Sequence, residues 1–166
     1  TMRPTVQPKK VVIVGGGATG IEVAGILSEM KRFVLPNDYP DMPGNLMHIY
    51  LIEAGSRLLA GMSEDSSAHA EKFLREMGVN ILLNKRVVDY RDHKVILEDG
   101  TEIATRTFIW VSGVTGVTIG NLDASLIGRG GRIKVDRFNR VEGMDNVFAI
   151  GDQCILSGDE SYPNGH

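Results

Sequence analysis

Just before a glycine cluster the chain carries four apolar residues in a row, Val11-Val12-Ile13-Val14. An uninterrupted run of this length predicts a central parallel strand buried on both faces. The period then lengthens. Gly20, Val23, Ala24 and Leu27 share one face of a helix expected from Thr19 to about Lys31, with small residues where helix and sheet must approach closely. Residues Phe33 to His48 hold Pro36, Pro40 and Pro43 and are expected to form an insertion loop. Ile49-Tyr50-Leu51-Ile52 predicts a second strand, ending at Glu53. Ser63 is placed to cap a helix whose first turn holds Glu64 and Asp65 and which stops at Gly78. Val79 to Leu83 predicts a further strand. From Val87 to Val111 the period shortens towards two, and Asp99-Gly100 between apolar runs signals a hairpin, so a small antiparallel meander is expected. Thr107 to Val111 closes it as a buried strand running into Ser112-Gly113-Val114.

Strands alternating with helices place this part in the α/β class, with a parallel sheet into which the antiparallel meander is inserted. After about Leu122 the pattern changes. Gly128 to Gly131 predicts a turn, Ile133-Lys134-Val135 a short strand, and Val147-Phe148-Ala149-Ile150 a strand ending at Gly151-Asp152. Residues Thr1 to Pro8 are polar with two prolines and are expected to be a linker. Thr1 at one end and Asn164-Gly165-His166 at the other suggest boundaries within a longer protein.

Composition narrows the function classes. With 42% hydrophobic and 23% charged residues, the 166-residue chain has the balance of a globular domain. Its net charge of −3 offers no excess of Lys and Arg to replace phosphate counterions, which argues against nucleic acid. A single cysteine, Cys154, excludes an internal disulfide framework and a Cys-rich zinc site, and fits the cytoplasm. His48, His69, His93 and His166 are scattered, without metal-ligand spacing. No apolar run approaches the roughly 20 residues that cross a bilayer.

The chemistry concentrates at Gly15-Gly16-Gly17-Ala18-Thr19-Gly20, a G-x-G-x-x-G string set between a predicted strand and a predicted helix. In that setting it is the dinucleotide fingerprint of a Rossmann-like fold. Gly15 permits the tight turn, Gly17 the approach of a pyrophosphate, and Gly20 close packing of helix on sheet. The pyrophosphate would face the free N–H groups and positive dipole end of the helix.

Glu53, with Ala54 beside it, ends the second strand, where a carboxylate can accept both hydroxyls of an adenosine ribose. It lies further beyond Gly20 than the roughly 20 residues usual for the fingerprint, an excess the proline-rich insertion supplies. That insertion belongs at the N-terminal edge of the sheet, away from a cofactor bound at the C-terminal edge. A 2′-phosphate about 4 Å from the carboxylate would be repelled by ~1 to 4 kcal/mol per unit charge, so the expected cofactor is NADH. Arg57 has two readings, a partner for a 2′-phosphate or a surface cation beside Glu53. Glu22 is either a dinucleotide contact or a first-turn acid complementing the helix dipole. Ser112 and Gly113 either present backbone to the dinucleotide or form a plain strand-to-loop turn.

Gly15 to Gly20 followed by Ile21-Glu22-Val23-Ala24, and then Ile49 to Glu53, resemble the pyridine-nucleotide-disulfide oxidoreductase superfamily. Ile109-Trp110-Val111-Ser112-Gly113-Val114 and the insertion before the second strand look most like type II NADH dehydrogenases. Gly131 to Asp136, leading to Asn146 through Asp152, resembles the second FAD motif of that family, in which the aspartate matching Asp152, after Gly151, hydrogen-bonds the ribityl chain of the flavin. The resemblance implies an NADH-binding Rossmann domain over residues 1–122 and part of an FAD-binding domain over 123–166. It also implies a parent enzyme that passes hydride from NADH to FAD and electrons on to a quinone, peripheral on the cytoplasmic face of a membrane. The remaining FAD-domain segments would lie outside this chain, which by itself should not turn over. Relatives akin to thioredoxin reductase usually carry C-x-x-C in this domain, and none is present.

Two other readings stay open: a flavoenzyme serving a protein acceptor such as ferredoxin, and a non-catalytic NAD-sensing module. Gly151-Asp152 speaks against the sensor, which has no use for a flavin contact. Residues after about Leu122 would normally pack on FAD-domain partners, so Phe138, Val147 and Phe148 are expected to be exposed and either to pair with a second copy or to fold back.

Overall fold

A computed structural model describes residues 9–40, 47–117 and 119–157. The expected linker at 1–8, Pro43 of the expected insertion, and the last residues with His166 lie outside the described residues. The chain separates into two compact units, residues 1–112 and 113–166, so that 113–122 groups with the second.

The first unit is built on a four-stranded parallel sheet. Strands β1 (Lys9–Val14), β2 (Met47–Ile52), β3 (Val79–Leu82) and β7 (Thr107–Trp110) run in the order β3-β2-β1-β7. Helix α1 (Ala18–Glu29) joins β1 to β2, and α3 (Glu64–Glu76) joins β2 to β3. Alternation along each strand divides the core. Val11 and Ile13 of β1, Ile49 and Leu51 of β2, and Val79 and Ile81 of β3 pack with Ala24 and Leu74 of the helices. Val12, Val14 and Ile52 face the other way, onto Val95, Leu97 and Ile103 of an antiparallel sheet, β4 (Val87–Arg91), β5 (Lys94–Leu97) and β6 (Glu102–Ala104). The parallel sheet is thus covered on both faces, which is why its strands read as continuous apolar runs.

Helix α3 follows the sequence signals. Ser63 caps it, accepting from the Ser66 N–H, and Gly78 ends it with φ +84°. Asp99-Gly100 turns β5 into β6 as expected, with Gly100 at φ +83°. The turn from β4 to β5 has no glycine; Asp92 and His93 both take left-handed φ there, the geometry of a two-residue hairpin turn.

Three expectations need correction. Residues 33–38 are not loop. After α1 the helix widens into a π turn, Met30–Val34, and continues as α2 (Leu35–Asp38), with Pro36 near its start. The wide turn, in which the Leu35 N–H reaches the Met30 C=O, lets the helical path pass a residue that has no N–H to give. Among the described residues the strand at 107–111 is an edge strand paired only with β1, and Trp110 at its end is 55% exposed. Residues 147–150 do not form a strand. Among the described residues they make one isolated bridge, Arg140 to Phe148, with the Val141 N–H donating to Val147 C=O at 2.8 Å and the Ala149 N–H to Asn139 C=O at 3.0 Å. Val147, Phe148 and Ile150 face solvent.

In the second unit β8 (Ile133–Val135) pairs in parallel with β9 (Cys154–Leu156). Ile133, Val135, Val141, Ala149 and Cys154 form its small core. Among the described residues no helix is long and apolar enough to cross a membrane.

Candidate functional site

β1 delivers the chain to a turn that only glycine can make. Gly15 takes φ +116°, and a Cβ there would lie 2.5 Å from the Val111 C=O, because the end of β7 runs alongside. The Val111 N–H donates to Val14 C=O at 2.8 Å, and the Gly15 N–H to Ile52 C=O at 2.9 Å, so the turn is anchored to both neighbouring strands. At Gly20 an added Cβ would come 1.9 Å from the Gly15 C=O. Gly17 differs. It is the N-cap of α1, it is exposed, and a Cβ on it would meet nothing within 4 Å.

No side chain caps this helix. Its first i to i−4 bond runs from Ile21 N–H to Gly17 C=O at 3.1 Å, leaving Ala18, Thr19 and Gly20 without an intrahelical acceptor. Ala18 and Thr19 are exposed. An uncapped helix N-terminus with open space over its first glycine is suited to an anion.

Glu53 comes to this turn from the end of β2. Its Oε2 accepts the Gly16 N–H and its Oε1 accepts the Gly55 N–H, each at 2.6 Å. The main chain of Glu53 is fixed as well, donating to Leu82 C=O at 2.9 Å and accepting from Lys85 N–H at 3.0 Å. The half-buried carboxylate therefore links the glycine turn to the loop after β2, with Ala54 exposed beside it.

Ser112 also lies at the turn, its Cα 2.8 Å from where a Gly15 Cβ would be. Gly113, exposed with φ +108°, follows it in the second unit. Arg57 makes no hydrogen bond or ion pair with the Glu53 carboxylate among the described residues. Its Nη1 donates to Met62 C=O at 3.0 Å and its Nη2 to Ala60 C=O at 2.8 Å, within its own loop. Glu22 stands on the second helical turn, exposed; α1 has no acid in its first turn, so the dipole reading of Glu22 does not hold.

Gly151 and Asp152 lie in the second unit, on a short 3-10 turn from Gly151 to Gln153. Gly151 takes φ +69°, and both residues are exposed. Arg132 Nε donates to the Asp152 C=O at 3.0 Å, and the Gln153 amide pairs with the N–H and C=O of Val117 at 2.8 and 2.7 Å. These bonds fix the backbone of the turn and leave the Asp152 carboxylate without a partner among the described residues. Cys154 is buried, its thiol donating to Gly151 C=O at 3.3 Å.

Two parts of the site escaped the sequence reading. The Leu59 N–H donates to Gly16 C=O at 2.8 Å, a backbone contact that no residue type announces. The fully buried Leu58 gives a weak sign, being apolar within a loop. The other is the position of Trp110, read only as part of the Ile109–Val114 run: its register partner is Val14, directly before the glycine turn.

A sequence profile described as pyridine nucleotide-disulphide oxidoreductase matches residues 1–165. The chain is 33% identical over 147 residues to the type II NADH:quinone oxidoreductase of Haemophilus influenzae, covering 88% of this chain and 33% of that protein. It is 31% identical over 156 residues to the type II NADH:quinone oxidoreductase NdhA of Mycobacterium tuberculosis, covering 89% and 33%. A solved structure of NDH2 from Plasmodium falciparum in complex with NADH superposes with a TM-score of 0.73 at 25% identity, covering 89% of this chain and 32% of that one. The chain thus spans about a third of the length of the relatives it matches.

Proposed function

The chain belongs to the pyridine nucleotide-disulphide oxidoreductase family, and from that footing we propose that it is the NADH-binding part of an FAD-dependent NADH dehydrogenase whose electrons pass to a quinone. The observation that carries this reading is the glycine turn itself: an uncapped helix N-terminus, open space over Gly17, and the Glu53 carboxylate held at the same turn. Relatives named for NADH:quinone oxidoreduction support the choice of acceptor.

The residues fit a dinucleotide. Its pyrophosphate would lie over Gly15, Gly16 and Gly17, against the N–H groups of Ala18, Thr19 and Gly20. Glu53, followed by Ala54, would take the hydroxyls of the adenosine ribose. Each carboxylate oxygen already accepts one backbone N–H and keeps a lone pair for a hydroxyl. A negative group held there disfavours a 2′-phosphate. Ser112, Gly113 and Glu22 are assigned to the rest of the dinucleotide.

Residues 1–122 form the NADH-binding domain in this proposal, and 123–166 a part of the FAD domain. FAD, when bound, supplies the hydride acceptor. For this chain the flavin contact is Gly151-Asp152, where the Asp152 carboxylate, without a partner among the described residues, suits the hydroxyls of a ribityl chain. The work of the protein residues is to hold and orient. The parent enzyme is placed at the cytoplasmic face of a membrane as a peripheral protein, and this chain alone is inactive.

Calorimetric titration of the chain with NADH and with NADPH tests the proposal. NADH binding with NADPH at least fivefold weaker is expected, the lower end of what ~1 kcal/mol of repulsion provides. Binding of neither, by a chain that melts cooperatively, would overturn it.

A further inference from the structure

The main chain of Gly16 is held at both its N–H and its C=O by one segment. Its N–H donates to Glu53 Oε2, and its C=O accepts the Leu59 N–H at 2.8 Å. Leu59 holds a left-handed φ of +48°, a conformation a non-glycine residue keeps only where its surroundings impose it. Two anchors impose it here. Leu58 is completely buried in the core on the helix side of the sheet. On the other side the Arg57 guanidinium holds the Ala60 and Met62 carbonyls, and the Met62 N–H returns to Leu59 C=O at 2.8 Å.

We propose that Arg57 is a positioning residue for the glycine turn, acting through the loop 57–62 and the Leu59-to-Gly16 hydrogen bond and not by meeting a phosphate. The inference rests on the reading of the glycine turn as the dinucleotide site. Loss of the guanidinium releases the two carbonyls, relaxes Leu59, and frees the Gly16 carbonyl, and with it the Gly16–Gly17 peptide against which the pyrophosphate packs. Every ligand with that pyrophosphate then loses affinity by the same factor. A guanidinium that paired with a 2′-phosphate would show the opposite pattern. Its removal would penalise NADPH alone, and pairing through both Nη atoms would first have to compete with two carbonyls.

The test is titration of the wild-type chain, Arg57→Met and Arg57→Lys with NADH, NADPH and ADP-ribose, alongside melting curves and backbone amide exchange. Arg57→Met is expected to weaken all three ligands equally, by about tenfold, and to speed exchange at Leu59 and Met62 while β1 amides stay protected. Arg57→Lys, with a single cationic donor group, is expected to recover part of the loss. Selective loss of NADPH would make Arg57 a phosphate ligand, and unchanged affinities would make its bonds irrelevant; either overturns the proposal. A wild-type chain that binds none of the three overturns the dinucleotide reading, and this inference with it. If Arg57→Met does not fold, the Lys variant decides: affinities equal to wild type, or loss confined to NADPH, overturn the proposal, and an equal intermediate loss for all three ligands supports it.

Discussion

Gly17 and Gly20 stand three positions apart in one motif, yet an added methyl group would meet opposite surroundings. At Gly20 it lands 1.9 Å from the Gly15 carbonyl oxygen, so α1 must shift away from the turn. At Gly17 it lands in open space, on a backbone with φ −75° that any residue adopts. Gly20→Ala is therefore expected to cost ~3 kcal/mol of stability, with affinity lost as a consequence of misfolding. Gly17→Ala should melt within ~0.5 kcal/mol of wild type and still lose tenfold or more in NADH affinity, because the methyl occupies the approach of the pyrophosphate. Denaturant melts paired with calorimetry separate the two. A Gly17→Ala variant that binds normally would remove the pyrophosphate from this turn. The spacing of these glycines was legible in the sequence, and so was the placing of Glu53 at a strand end. That Glu53 grips the Gly16 N–H, and that Leu59 closes the other side, was not. Both contacts are to backbone groups, which every residue carries alike.

Among the elements, those with strong local signals came out as read: the Ser63-capped helix α3, the Asp99-Gly100 turn, and the apolar strands β1 and β2. The errors fell where tertiary context decides. Pro36 marks a break by propensity, but one π turn ahead of it absorbs the missing N–H. Val147-Phe148-Ala149-Ile150 has strand composition but, among the described residues, gains only an isolated bridge to the 139–141 segment, while Cys154–Leu156 finds β8. The meander offers a test of its own at Asp99. The Lys85 ammonium, and then the Thr101 N–H, hold the Asp99 carboxyl well below its ordinary value of 3.8. A carboxyl depressed in the fold adds stability that is complete above 3.8 and is lost as pH falls below it, since the unfolded chain takes up the proton first. Asp99→Asn keeps the turn residue pair and an oxygen for Thr101 but removes the charge. The variant is expected to melt below wild type at pH 6, with the gap narrowing steadily as the pH drops under 3.8. Thermal melts followed by circular dichroism across that range would check it. A gap that stays constant with pH would mean the Lys85 pair contributes nothing, as many exposed pairs do.

At the scale of the molecule, the two units differ in how well they enclose their apolar residues. In the first, the parallel sheet is covered by helices on one face and by the meander on the other, and its central strands are almost fully buried. Among the described residues, the second has a core of five buried small or medium side chains around a two-stranded sheet. It leaves Phe138, Val147 and Phe148 exposed at 60%, 45% and 59%. Large apolar side chains exposed on so small a unit favour burial against another surface. On the function proposed above, the rest of an FAD domain would cover them in the parent enzyme. For the chain alone the available surface of matching chemistry is a second copy, with like faces meeting about a two-fold axis. Sedimentation over a range of concentrations is expected to show a monomer–dimer equilibrium. The double variant Val147→Asp, Phe148→Asp should shift it to monomer, because each partner would bring two carboxylates into an apolar contact. NADH affinity should be unchanged, as neither residue belongs to the glycine turn or to Glu53. A wild-type chain that stays monomeric at every concentration would mean that these side chains are tolerated in water by the isolated unit.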